Sequence, residues 1–134
     1  MDKRHSKRID LMQLLFANTF LPDDEQYLDL ESVAEEDLVW LEKIKGAIPD
    51  LDREIAHFAP ERPLPDINKV DLAILRMITF EAQETDTPPK VLIDEAVEMA
   101  KEFGTESSPK FINGVLAKII FKEEMKEESE SDAS

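Results

Sequence analysis

The 134-residue sequence has no cysteine, only three glycines, one tryptophan and one tyrosine. It also has no apolar run near the roughly 20 residues that cross a bilayer. Without cysteine there is no disulfide, no thiolate metal centre and no cysteine nucleophile, a composition that suits a reducing compartment. Gly46, Gly104 and Gly114 lie too far apart to build a phosphate-cradling loop after a strand. Histidine is almost as scarce. Glu54 and His57 have the Glu-x-x-His spacing of di-metal helical bundles, but such a centre needs a second copy and two further glutamates, and the only other histidine is His5. No Ser/His constellation suggests a nucleophile held by a base. These gaps predict a protein that is not an enzyme and uses neither cofactor nor metal.

What is present is a globular balance, 42% hydrophobic and 35% charged residues, in a chain sized for one domain. The net charge is −15, from 16 basic and 31 acidic side chains, which argues against indiscriminate polyanion binding. The charge is unevenly spread. Residues 1–10 hold Lys3, Arg4, Lys7 and Arg8 against two acids and carry +2, while the other 124 residues carry −17. That start leads into an amphipathic stretch containing Asp10 and Gln13, not into the apolar region of a signal peptide, so a soluble, cytoplasmic protein is expected. Residues 121–134, FKEEMKEESESDAS, are acidic and poor in apolar side chains, and read as a disordered tail after a domain covering 1–120.

Apolar residues recur at three- and four-residue spacing nearly throughout, and no strand-like alternation occurs. Ile9, Met12, Phe16 and Phe20 predict a helix over 4–20. Ser32 and Glu35 have the spacing of a capping box ahead of Leu38, Leu41, Ile44 and Ile48. Pro49 suits the start of a third helix bearing Leu51, Ile55 and Phe58, and the proline-rich 59–65 stretch is a stiff connection. Residues 66–83 are apolar on most sides and predict a central helix. Thr87 and Pro88 read as N-cap and first helical residue of the next, closed by Gly104 as a left-handed cap, and Ser108-Pro109 repeats the start signal. The expected fold is all-α, a compact bundle of about six helices.

Two surfaces stand out. Arg4, Lys7 and Arg8 share a helix edge near an N-terminus, where cations oppose the helix dipole and a phosphate would be favoured; simple charge balance in an acidic chain is the other explanation. On the last helix Lys110, Asn113 and Gly114 face away from the apolar stripe. A mid-helix glycine costs about 1 kcal/mol against alanine, which fits either a close helix crossing or a ligand such as single-stranded RNA, with Phe111 available to stack a base.

The segments KRIDLMQLLF, KVDLAILRMITFEA and TPPKVLIDEAVEMAKEFGTESSPKFINGVLAKI resemble, in order, the NusB family of transcription antitermination factors. The resemblance implies two small helical subdomains sharing a core and no catalysis. It implies binding to boxA single-stranded RNA together with the ribosomal protein NusE, in the RNA polymerase antitermination complex on ribosomal RNA operons. Carried over by position, the RNA-binding residues are Arg4, Lys7, Arg8, Phe16, Lys110, Phe111 and Asn113, and Asp71 falls at a partner face. Two other functions remain open: an adaptor that binds NusE without useful RNA affinity, and a detached RNA-targeting domain of a ribosomal RNA methyltransferase. Monomer and homodimer are both open.

Overall fold

Helix periodicity becomes a bundle around one helix that is buried on most of its sides. The structure, a computed structural model, describes residues 3–20 and 33–132, without the side chains of residue 3 and of 123–132. It contains α1 (Lys3–Asn18), α2 (Glu35–Phe58), a 3-10 turn (Leu64–Asp66), α3 (Lys69–Glu84), α4 (Pro89–Phe103) and α5 (Ser108–Asp132), with no strand among the described residues. Asn68 starts α3 by accepting from the Val70 and Asp71 amides at 2.8 and 3.4 Å, satisfying two donors that a helix start leaves unpaired.

Because α3 buries Leu72, Ile74, Leu75, Met77, Ile78 and Phe80 around most of its circumference, all four other helices pack against it. Leu11, Met12 and Leu15 come from α1; Leu41, Ile44, Leu51 and Ile55 from α2; Leu92, Ala96 and Met99 from α4; and Ile112, Leu116 and Ile119 from α5. One continuous cluster joins all five helices, so the two halves of the molecule share a core. Each fully buried leucine or isoleucine contributes about 1.5–3 kcal/mol.

The count is five α-helices because the expected second and third are one. Pro49 lies inside α2, where it cannot donate to the carbonyl one turn back. Pro49 is exposed, leaving that carbonyl on the solvent side, and Leu41 and Ile44 before it and Leu51 and Ile55 after it dock both halves on the core. That burial outweighs the roughly 3 kcal/mol a helix-interior proline costs. The capping box does not set the start of α2: the cap position is Ala34, and Ser32 lies outside the described residues.

Two caps also differ from expectation. Pro89, not Pro88, opens α4, and the Thr87 hydroxyl turns instead to Thr85 Oγ1 at 2.9 Å and Glu81 Oε2 at 3.3 Å. Gly104 is extended (φ −93°, ψ −161°) rather than left-handed. Its glycine requirement is spatial: a Cβ there would stand 2.5 Å from Ser108 Oγ and 2.8 Å from the Ala100 carbonyl oxygen. At the other end of α5 the last buried residue among those whose side chains are described is Ile120, while the helical backbone continues to Asp132.

Candidate nucleic-acid interface

The N-terminal cations are built into the fold. Arg8 forks onto Glu81, Nε donating to Oε1 at 3.0 Å and Nη2 to Oε2 at 2.8 Å, with Glu95 Oε2 3.8 Å from Nη1. Its side chain is only 11% exposed. His5 Nδ1 contacts Glu95, and Lys7 pairs with Glu36 across to α2. Arg4 and Lys7 are exposed, and all three cations border a pocket of about 180 Å³ whose walls include Trp40, Glu36, Asp37 and Glu81. Carboxylates therefore answer most of the positive charge on this edge. Phe16 sits two turns further along α1, partly buried and edge-on to Phe20 at 5.0 Å, and does not join the cations.

A different cationic surface lies at the other end of α2. The end of α2, the segment after it and the first half of α5 enclose a groove of about 500 Å³ lined by Phe58, Arg62, Lys110, Phe111, Gly114 and Lys118, with Glu61 and Glu106 at its sides. The Arg62 guanidinium lies 4.0 Å from the Phe111 ring centroid, and Lys122 Nζ lies 5.0 Å from that of Phe58. Such cation–π contacts are worth about 0.5–1 kcal/mol when exposed. Lys110 and Lys118 are exposed and form no ion pair among the described residues. A Cβ at Gly114 would meet nothing within 4 Å, so this glycine faces open space and not a crossing helix. Asn113 is exposed beside the groove without lining it.

The start of α5 is held from below. Asp71 is 1% exposed, so it presents no surface to a partner, contrary to its expected place at a partner face. Its Oδ2 instead accepts from Ser108 Oγ at 3.0 Å, and Ser108 Oγ accepts from the Thr105 amide at 2.9 Å. Asp71 Oδ1 is buried with no hydrogen-bond partner. Burial pushes the Asp71 carboxyl above the usual carboxylate range, against smaller downward pulls from the Ser108 hydrogen bond and the Arg62 charge.

The first and last helices do not form one continuous edge. Trp40 borders the α1 pocket and Phe58 the groove, and the 18 residues between them put the sites about 27 Å apart along α2, at 1.5 Å per residue. Of the residues expected to bind RNA, the structure gathers Lys110 and Phe111 in the groove and Arg4, Lys7 and Arg8 at the other end. Sequence reasoning missed Phe58, Arg62 and Lys118. Lys118 was within reach, since Lys110, Gly114 and Lys118 follow at four-residue steps; Arg62, in a proline-rich connection without periodicity, carried no such signal.

Among the described residues no group of three or more acidic or histidine side chains is placed to hold a metal, and no helix is long and apolar enough to cross a membrane. The described residues form an all-helical domain with an aromatic, cation-lined groove, and that defines its structural class. Comparison with known proteins narrows that class. The NusB family model matches residues 5–121. The transcription antitermination protein NusB of Staphylococcus haemolyticus is 44% identical over 104 residues, covering 77% of each chain. That of Staphylococcus aureus (strain USA300 / TCH1516) is 36% identical over 130 residues, 87% of this chain and 97% of its own. A solved structure of T. maritima NusB superposes with a TM-score of 0.77 at 32% identity, covering 89% of this chain and 91% of that one. The chain belongs to the NusB family.

Proposed function

We propose that this chain is a cytoplasmic transcription antitermination factor that binds boxA-type single-stranded RNA together with ribosomal protein NusE, within the RNA polymerase complex that transcribes ribosomal RNA. The family supports the antitermination role. The observation that carries the RNA reading is the groove: lysines without ion pairs among the described residues flank an arginine–phenylalanine stack in a protein whose net charge is −15. Phosphates are served by Lys110 and Lys118, and an unstacked base by the π-face or guanidinium plane between them. The acidic remainder repels RNA elsewhere and favours a basic protein partner.

The decisive experiment is a gel shift of boxA RNA with the chain, with NusE and with both, at two salt concentrations. Two phosphate contacts, through Lys110 and Lys118, give a slope of log affinity against log salt of about −1.4. RNA affinity of the mixture no better than that of NusE alone refutes the RNA reading. That result would favour a protein-only adaptor, a reading supported by the internal pairing of Lys7 and Arg8.

A further inference from the structure

We propose that the groove takes one unstacked nucleobase against the Arg62–Phe111 pair, and that buried Asp71 is the positioning residue that sets this pair through Ser108. The inference rests on the single-stranded RNA reading and adds to it a residue that never touches the ligand.

Phe111 lies one helical turn beyond Ser108, and Lys110 precedes it, so the orientation of the first turn of α5 decides where both point. That turn is fixed at Ser108. The hydroxyl donates to Asp71 Oδ2 at 3.0 Å and accepts from the Thr105 amide at 2.9 Å, and only a glycine at 104 leaves room for it, since a Cβ would stand 2.5 Å from Ser108 Oγ. The link is therefore a chain from α3 through the 104–108 turn into α5. The opposite wall is Arg62, whose guanidinium stacks on Phe111 at 4.0 Å and whose charge is felt by Asp71. One buried carboxylate thus acts on both halves of the stack.

A carboxylate in this position is a poor choice for stability alone. Its Oδ1 is buried without a partner, a costly arrangement that an apolar side chain would avoid. Its retained benefit is orientation: one oxygen holds Ser108 at 3.0 Å, and the attraction between the carboxylate and the Arg62 charge favours a guanidinium that stays on the Phe111 ring. A base entering the groove then finds a planar cation and an aromatic ring already stacked, flanked by the ammonium groups of Lys110 and Lys118 at its phosphates.

The test uses single-stranded boxA RNA with 2-aminopurine at successive positions, whose fluorescence falls when the base stacks, and the wild type with Lys110→Ala, Phe111→Leu, Arg62→Ala, Asp71→Asn and the double variant R62A/D71N. Thermal melts accompany every variant. At one RNA position the wild type quenches 2-aminopurine, and Phe111→Leu removes the quenching and weakens binding about 5- to 150-fold, the range for one stacked base. Asp71→Asn keeps an acceptor for Ser108 but loses the charge; it weakens binding at least about 3-fold and reduces quenching, and adds nothing in the Arg62→Ala background. Ser108→Ala, which leaves the carboxylate in place, gives the same partial loss by the other route. Full quenching and unchanged affinity in Asp71→Asn, or losses that add independently in the double variant, overturn the positioning role. Salt-dependent binding weakened by Lys110→Ala but indifferent to Phe111→Leu and Arg62→Ala sinks the nucleobase site while sparing the RNA function. No RNA binding with or without NusE sinks both.

Discussion

Gly46 and Gly114 form a natural matched pair. Both lie inside α-helices, both are exposed, and a Cβ on either meets nothing within 4 Å. With no clash to subtract, alanine at either position should add the full helix-propensity gain of about 0.8–1.0 kcal/mol. For a chain of this size that is a rise in Tm of about 3–5 °C, the same for each variant, measurable by calorimetry or circular dichroism. RNA binding separates the pair. The new methyl at 114 projects into the groove beside Lys110, Phe111 and Lys118, whereas that at 46 lies outside both the groove and the α1 pocket. Gly114→Ala should weaken boxA RNA by about 1 kcal/mol or more, at least roughly fivefold, and Gly46→Ala should leave it unchanged. A destabilised Gly114→Ala would show that the groove is not open, and equal RNA affinities would show that no ligand approaches α5 at this point.

Three other perturbations test separate parts of the structure. Lys110→Ala should lower RNA affinity about equally for all sequences and reduce the salt slope by about 0.7, read by gel shifts across a salt series. Arg8→Ala, which removes a forked and largely buried contact with Glu81, should cost about 2–3 kcal/mol in urea denaturation, against less than about 0.5 kcal/mol for exposed Lys7→Ala. Asp71 has a raised folded-state pKa, so its contribution to stability is complete below the unfolded value of 3.8 and is lost as pH rises through the folded one. The Tm of Asp71→Asn relative to wild type should therefore climb as pH rises from 3.8, and a difference independent of pH would contradict a buried carboxylate at this site.

The core was legible because helical burial is periodic. Met12, Leu41, Ile44, Leu51 and Ile55 all fell on predicted apolar faces, and all are buried. Boundaries were less so, since they depend on tertiary compensation. Pro49 reads as a helix start wherever propensity rules, and lies inside α2 because buried residues on both sides dock the helix on the core. Gly104 signals a cap in the sequence, whereas its reason is a side chain four residues later. The candidate site was half legible: Lys110 and Phe111 share a helix with a telling Gly114, but their opposite wall, Phe58 and Arg62, comes from a segment about 50 residues earlier that only the fold brings near. The ion pairing of the N-terminal basic cluster was illegible for a related reason, because its carboxylate partners Glu81 and Glu95 stand more than 70 residues away in the chain.

That separation orders events on the ribosome. The forked contact of Arg8 closes over 73 residues and the contact of His5 over 90, so neither can form until α3 and α4 have been synthesised, whereas the Lys7–Glu36 pair needs only the start of α2. The first surface available to α1 is therefore α2, and the burial of Leu11, Met12 and Leu15 is complete only when the later helices, joined by short connections, have been made. The contact of His5 with Glu95 thus marks a chain translated at least as far as α4.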